Sequence, residues 1–150
     1  MQNALTAIIP IIPAYADALR EKLENNPIDP AALDEVGTVH FARIFVFAPD
    51  NASGISQTSA AVITTYDGAF APYIQDFVNQ PSVAAFFDGF LEVVDDPAAK
   101  GLIPVTKNAA AFAAFVLKYD NTNPAKQPWG QWYSAYPKLT VIDIRKLEHG

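Results

Sequence analysis

The sequence predicts a single α+β domain with the ferredoxin-like element order β-α-β-β-α-β, an antiparallel sheet and extra helices inserted before the last strand. A β-branched and aromatic run at 38–47 is followed, after a polar loop, by a second run at 60–66, as in a β-hairpin. Helical patterns lie on either side of this hairpin, at 14–24 and 70–78. A chain of 150 residues suits one domain, and no linker or repeat divides it.

The first part of the chain supplies a strand and two helices. Residues 5–9 are apolar and predict a strand, which Pro10 ends because its ring lacks an N–H for the sheet. Pro13 suits the first turn of the helix at 14–24. Asp29, which is followed by a proline, is a favourable N-cap for a short second helix.

The second half of the chain completes the element order. Pro81 restarts a helical pattern, and a further helix begins after Thr106, which is a suitable N-cap. The Asn- and Pro-rich stretch 120–128 is predicted to be a loop. Residues 139–146 are predicted to form the last strand of the sheet.

The composition restricts the classes of function. The formal net charge is −6 and the basic residues form no run, which argues against nucleic acid as a partner. The chain has no cysteine, so disulfides, iron–sulfur clusters and cysteine-ligated zinc are excluded. Only 17% of the residues are charged, which leaves little charge to cover a free surface and favours an additional buried face, such as a subunit interface.

The apolar run at 4–12 needs a separate interpretation. It is far shorter than the roughly 20 residues that span a bilayer. No Lys or Arg precedes it, and Pro10 and Pro13 interrupt it, which is unlike a secretory signal. We therefore expect a cytoplasmic protein with no membrane partner.

Both faces of the first hairpin strand are apolar apart from one titratable group each. One face carries Val39, Phe41, Arg43, Phe45 and Phe47, and the other carries His40, Ala42, Ile44 and Val46. A ferredoxin-like sheet has helices on one face only, so a monomer would expose a broad apolar face. Packing two sheets face to face removes that exposure and predicts a homodimer, a dimeric α+β barrel. The alternative is a monomer whose inserted helices cover the open face.

The register of the hairpin decides which polar side chains meet. If Phe47 pairs with Ala60, His40 lies directly opposite Asp67. If the register shifts by one residue, Asp67 moves to the face of Arg43 and becomes its diagonal neighbour.

Each pairing implies its own chemistry. A carboxylate beside His40 would fix the imidazole tautomer and prepare a general base, a metal ligand or a haem ligand, which makes His40 and Asp67 the candidate catalytic residues. A carboxylate beside Arg43 would form a salt bridge able to hold an anion. The structural alternative is that Asp67 caps the following helix while Gly68 supplies the turn. With only two histidines, no metal site can be assembled.

A cluster of aromatic residues precedes the predicted last strand. Its large side chains are Trp129, Trp132, Tyr133 and Tyr136. They could wall an apolar pocket, in which case the ligand-binding residues are Arg43, Tyr66, Trp132, Tyr133 and Tyr136. They could equally form a lid over the core or an arm across the dimer.

Three short motifs follow one another along the chain: Val39-His40-Phe41-Ala42-Arg43, Thr65-Tyr66-Asp67-Gly68, and Trp132-Tyr133-Ser134-Ala135-Tyr136-Pro137. With them the chain resembles a family of uncharacterised bacterial proteins of the dimeric α+β barrel (ferredoxin-like) superfamily. The wider superfamily includes cofactor-free oxygenases, haem-degrading enzymes and haem peroxidases, so the resemblance brings haem into consideration as a cofactor. Against haem, the Gly-x-x-Asp-Gly motif of dye-decolourising peroxidases is absent, and no predicted helix offers a histidine ligand.

These observations favour a homodimer that binds an apolar small molecule between its sheet and helices. One alternative is a monooxygenase or peroxidase-like oxidoreductase in which Asp67 orients His40. The other is a structural or assembly module. A His–carboxylate pair beside an open cavity would favour the first two, and a filled interior would favour the third.

Overall fold

The fold is that of a computed structural model, which describes residues 2–26, 28–122, 136 and 138–148. The strands are β1 (Gln2–Pro10), β2 (Val39–Phe47) and β3 (Ser59–Asp67), and the helices are α1 (Ala16–Asn25), α2 (Pro30–Val36), α3 (Phe70–Asn79), α4 (Pro81–Leu91), α5 (Ala109–Tyr119) and α6 (Val141–Glu148). Short 3-10 turns lie at Pro13–Tyr15, Lys100–Leu102 and Val105–Lys107.

Local sequence signals account for the ends of several elements. The Asp29 side chain accepts a hydrogen bond from the Ala31 N–H at 2.9 Å and so caps α2, as predicted. Gly37, with φ of 70°, ends the same helix in the left-handed conformation that glycine adopts without strain. The hairpin strands and the helices before residue 120 are thus confirmed to within a few residues of their predicted positions.

The prediction of a four-stranded ferredoxin-like sheet is wrong. Among the described residues the sheet has three strands in the order β1-β3-β2, and both neighbouring pairs are antiparallel. Residues 139–146, predicted to be the last strand, lie mostly in helix α6. The predicted helical insertion before a final strand, and the dimeric α+β barrel built on a four-stranded sheet, both require this strand and are therefore wrong as well.

A capping box explains why the chain forms α6 there. The Thr140 side chain accepts a hydrogen bond from the Asp143 N–H at 3.2 Å, while Asp143 accepts from the Thr140 N–H at 3.0 Å and from its hydroxyl at 2.7 Å. Asp143 near the start of α6 and Arg145 and Lys146 near its end also match the helix dipole. These capping hydrogen bonds and favourable charges outweigh the strand preference of the β-branched residues at 140–142 and 144.

Loops occupy the outer edge of β1, where a fourth strand would have paired. The Asn121 N–H donates to the Thr6 carbonyl at 2.8 Å, and the Thr122 hydroxyl donates to the Ala4 carbonyl at 2.9 Å. Residues 93–95 bond to the chain at the end of β1 in the same way. Several backbone groups of this edge are therefore hydrogen-bonded without another strand.

The two faces of the sheet differ. Helices α3, α4 and α5 cover one face, and the core between them includes Leu5, Ala7, Ile9, Ala60, Val62, Val83, Phe90 and Phe112. On the opposite face, called the open face here, Phe45, Phe47 and Ile63 are half-buried and Arg43 is exposed. Phe41 on this face is 50% exposed.

Candidate functional site

A β-bulge positions His40. Phe47 pairs with Ser59, one residue away from the register in which it would pair with Ala60. Phe41 still follows this register, but Val39 pairs with Tyr66, so His40 is one extra residue in β2. The bulge breaks the alternation of the strand: Val39 packs against the core, and His40 turns towards Asp67.

His40 and Asp67 form a direct contact. The Nε2 atom of His40 lies 3.0 Å from Oδ1 of Asp67, and the two side chains are 14% and 11% exposed. A neutral imidazole that donates from Nε2 to this carboxylate keeps its lone pair on Nδ1. The arrangement is therefore an oriented histidine, although the pairing arises from the bulge and not from the register first considered.

Asp67 also holds the last helix in place. Its second oxygen, Oδ2, accepts a hydrogen bond from the Val141 N–H at 2.8 Å, at the first residue of α6. The helix that follows Asp67 in sequence, α3, receives no side-chain cap. The prediction that Asp67 caps α3 is therefore wrong, whereas Gly68, with φ of 82°, does form the turn.

Arg43 and Tyr66 lie on opposite faces of the sheet. The Arg43 guanidinium lies 4.8 Å from the centre of the Phe45 ring on the open face. Tyr66 is buried on the helix-covered face, where its ring stacks on Tyr73 at 4.0 Å. Burial raises the pKa of Tyr66, and the Asp120 carboxylate adds to that increase. Arg43 and Tyr66 therefore cannot line one pocket in a single chain, and Arg43 forms no ion pair with Asp67.

The predicted aromatic segment is described only in part. Tyr136 is exposed, and its carbonyl accepts a hydrogen bond from the side chain of Gln2 at 2.8 Å. Trp129, Trp132 and Tyr133 lie outside the described residues. Their predicted roles stay predictions.

A cavity lies between the sheet and the helices, and Arg43, Tyr66 and Tyr136, which were among the predicted ligand-binding residues, do not line it. It has a volume of about 40 Å³ and is lined by residues of all three strands and of α3, α4 and α5. Apart from Thr64 and Tyr73, every lining side chain is a hydrocarbon. Ala42 lines the cavity and is exposed, so the cavity reaches the surface at the β2 edge of the sheet.

Thr64 lines the cavity with apolar atoms only, and its hydroxyl is buried beside the Tyr73 phenol. Its side chain is buried, and Oγ1 makes no hydrogen bond. The hydroxyl lies close enough to the Tyr73 phenol to favour its ionised form, but burial has the larger effect and raises the pKa of Tyr73, which stays protonated. An unsatisfied buried hydroxyl costs about 1–3 kcal/mol. A threonine on the helix-facing side of a central strand was the sequence signal for this site.

The cavity and the His40–Asp67 pair lie at different sites in the structure. Asp67 lies on the face of β3 opposite to Val62 and Thr64, and neither His40 nor Asp67 lines the cavity. Haem does not fit the cavity, which is far too small, and Tyr73, the one lining side chain of a type that ligates haem iron, is kept protonated because burial raises its pKa. Within the described ranges, no group of three or more His, Asp or Glu side chains could hold a metal ion.

Comparison with known proteins identified no relative of this chain. No protein-family model, curated protein or solved structure matches the chain. The resemblance to the bacterial family therefore stays a prediction. No helix in the described part of the chain is long and apolar enough to cross a membrane.

Proposed function

We propose that this protein binds a small, uncharged and mainly apolar molecule in the cavity between the sheet and helices α3–α5. The observation that carries the proposal is a hydrocarbon-walled cavity in the core that reaches the surface at Ala42. No charged side chain lines it, so an ionised ligand would lose its hydration without compensation. The chemistry of the walls therefore selects neutral ligands.

The size of the cavity limits the ligand. Leaving 40 Å³ empty costs about 1 kcal/mol, which a ligand that fills the space would recover. A benzene-sized molecule needs roughly 150 Å³, so its entry requires a side chain to move. Phe87 is the lining aromatic residue that is not fully buried, and we assign this movement to it.

Benzene is a suitable probe because it has no polar group. We expect saturating benzene to raise the melting temperature and to shift the methyl NMR signals of Val62 and Val116, which line the cavity. Ala42→Leu, which fills the mouth of the cavity, should weaken this response. Ala48→Leu is the matched control, since Ala48 is exposed and lies outside the cavity. An unchanged melting temperature and unchanged methyl signals in the wild type would overturn the proposal.

We propose further that two copies of the chain pair through the open face. The supporting observation is that Phe41, Phe45, Phe47 and Ile63 leave apolar area on that face, with Phe41 half exposed. Exposed apolar side chains of this kind are typical of protein interfaces, and Arg43, which lies between Phe41 and Phe45, is of a residue type enriched there. Sedimentation velocity of the wild type tests the pairing, and substitution of Phe41 tests whether it uses the open face. The cytoplasmic location stays a prediction.

The contact between His40 and Asp67 favours a second candidate function, an oxidoreductase that uses His40 as a general base. His40→Gln should keep a donor for Asp67 and with it the unfolding midpoint, while abolishing peroxide-dependent dye oxidation, assayed with and without added haem. A wild-type protein inactive in both assays, or a His40→Gln variant of unchanged activity, would count against this candidate.

A further inference from the structure

We propose that the outer edge of β2 binds an extended segment of a partner polypeptide as an added strand. One aliphatic side chain of this segment enters the cavity at Ala42, and a neighbouring acidic side chain meets Arg43. The inference rests on the proposed function of the cavity, and it identifies the apolar group that occupies the cavity as a side chain of a larger partner. Such a segment keeps its polar backbone outside the cavity, whose accessible surface is entirely apolar.

The two edges of the sheet differ in what covers them. Loop residues such as Asn121 and Thr122 bond to the outer edge of β1. No hydrogen bond within the described part of the chain reaches the outer edge of β2. β2 is nine residues long and has no proline, and the bulge at His40 and the charge of Arg43 are its only features of the kind that keep an edge from pairing. The β2 edge is therefore open to an added strand.

The hydrogen-bond pattern of β3 identifies the residues of β2 whose backbone points outwards. The Asp67 N–H donates to the Thr38 carbonyl at 2.9 Å, so the odd-numbered residues of β3 bond to β2. Ala42, Ile44 and Val46 pair with even-numbered residues of β3, and their N–H and carbonyl groups therefore point away from the sheet. Backbone groups of this kind bind an added strand.

Ala42 connects this edge to the cavity. A residue placed opposite Ala42 in an added strand has its side chain on the same face of the sheet as Ala42. That is the helix-covered face, where Ala42 is exposed and lines the mouth of the cavity. Because Ala42 carries only a methyl group, an aliphatic side chain opposite it can extend past this methyl into the cavity. Only the end of that side chain has to fit inside, since its stem stays at the mouth.

Arg43 determines the charge of the partner. It is exposed on the open face, and none of the ion pairs formed by the described residues includes it. Side chains of an added strand alternate between the two faces, so the residue next to the aliphatic one lies opposite Arg43 and forms an ion pair if it is acidic. Since β2 is an edge strand, Arg43 lies at the rim of the open face, the part of an interface that stays accessible to solvent. A second copy of β2 contains no acidic residue, so a different polypeptide segment has to supply it.

The probe is a peptide of sequence Ser-Leu-Glu-Leu-Ser with both ends blocked. When its glutamate lies opposite Arg43, its leucines lie opposite Ala42 and Ile44, and because the sequence is the same in both directions it suits either strand orientation. We expect the peptide to shift the backbone amide NMR signals of Ala42 and Ile44, and we expect saturating benzene to weaken its binding. A peptide with alanine in place of both leucines should bind at least about 10-fold more weakly, because it buries less apolar surface.

An exchange of charges tests the contact with Arg43. A peptide with lysine in place of glutamate should bind the wild type about 3- to 10-fold more weakly, and Arg43→Glu should reverse this preference. Lys100→Glu is the matched control, since Lys100 is exposed in a 3-10 turn outside the sheet and its substitution changes the net charge equally. Ala42→Pro removes an outward N–H without breaking a bond to β3 and should abolish binding of both peptides.

These titrations separate the inference from the function on which it rests. A wild type that binds benzene but not the peptide would overturn the added strand and leave the binding function of the cavity standing. Peptide binding that persists in Ala42→Pro, or a charge preference that is the same in Arg43→Glu as in the wild type, would also overturn the added strand. Failure of both probes to bind the wild type would overturn both proposals. The wild-type and Arg43→Glu titrations decide the question even where Ala42→Pro does not fold.

Discussion

Asp67 joins the β-hairpin to the C-terminal helix α6. One carboxylate oxygen contacts the imidazole of His40, and the other accepts the first N–H of α6 from Val141. The sequence could suggest that His40 and Asp67 meet, since both are polar residues in otherwise apolar strands. It could not show how they meet, because a one-residue bulge has no sequence signature here, and a bulge changes the face of every residue beyond it.

Removal of the Asp67 carboxylate should therefore destabilise the protein. We expect Asp67→Ala to lower the free energy of unfolding by about 1–3 kcal/mol, because it leaves the His40 imidazole and the Val141 N–H without their partner. Asp67→Asn should cost less, since its oxygen can accept from Val141 while its amide donates to Nε2 of His40. Urea unfolding measures the difference between the two variants.

The wild type and Asp67→Asn also allow a direct test of the His40 tautomer. Nitrogen-15 NMR should show the neutral His40 imidazole protonated on Nε2 in the wild type and on Nδ1 in Asp67→Asn.

Asp34→Ala is the control for the loss of stability in Asp67→Ala. The Asp34–Arg145 ion pair also contacts α6, but it is solvent-exposed and should contribute well under about 1 kcal/mol. Equal losses of stability in Asp34→Ala and Asp67→Ala would refute this role of Asp67.

At the level of secondary-structure elements, the predictions succeeded where one periodic pattern dominated. The Phe-rich faces of α3, α4 and α5 pack against the sheet, as the apolar spacing implies. Residues 139–146 carried two competing signals: β-branched residues that favour a strand and a Thr140-x-x-Asp143 capping box that favours a helix. Loops that bond to the β1 edge occupy the place where a further strand would pair, which only the tertiary structure reveals.

Asp96 links the loop after α4 to the end of α5. Its carboxylate accepts hydrogen bonds from the Lys118 ammonium group at 2.6 Å, from the Tyr119 hydroxyl and from the Ala98 N–H at 2.9 Å. These contacts, with Lys118 the largest contribution, lower the pKa of Asp96 from 3.8 to about 2. A lowered pKa in the folded state means that Asp96 stabilises the protein above about pH 4 and loses that contribution as the pH falls towards 2.

Asp96→Asn should therefore matter at neutral pH and not in acid. We expect it to reduce stability at pH 7 by about 1 kcal/mol, because Lys118 is 58% exposed and solvent screens the ion pair. The difference from the wild type should shrink as the pH approaches 2. Urea unfolding at a series of pH values measures this, and Asp95→Asn, at an exposed neighbouring position, should show no such trend. A difference independent of pH would contradict the assignment.

For the whole molecule, neither the number of strands nor the set of residues that lines the internal cavity could be predicted from the sequence. The cavity is bounded by side chains from three strands and three helices, so it depends on how these elements pack and not on any single segment. The apolar character of both faces of β2 was predictable, because it follows from strand alternation alone. One of these faces became the wall of the cavity, and the other became the open face.

The open face carries the last prediction, which concerns association of two copies. We expect the wild type to sediment at twice the mass of one chain, and its melting temperature to rise with protein concentration, because association stabilises the folded state by mass action. Phe41→Asp places a carboxylate on the open face and should yield a monomer. Tyr15→Asp is the control, since Tyr15 is 49% exposed against 50% for Phe41 but lies in the 3-10 turn before α1 and not in a strand of the sheet. A wild type that stays monomeric over the whole concentration range would refute the pairing. If Phe41→Asp and Tyr15→Asp instead have the same effect, any dimer that forms does not use the open face.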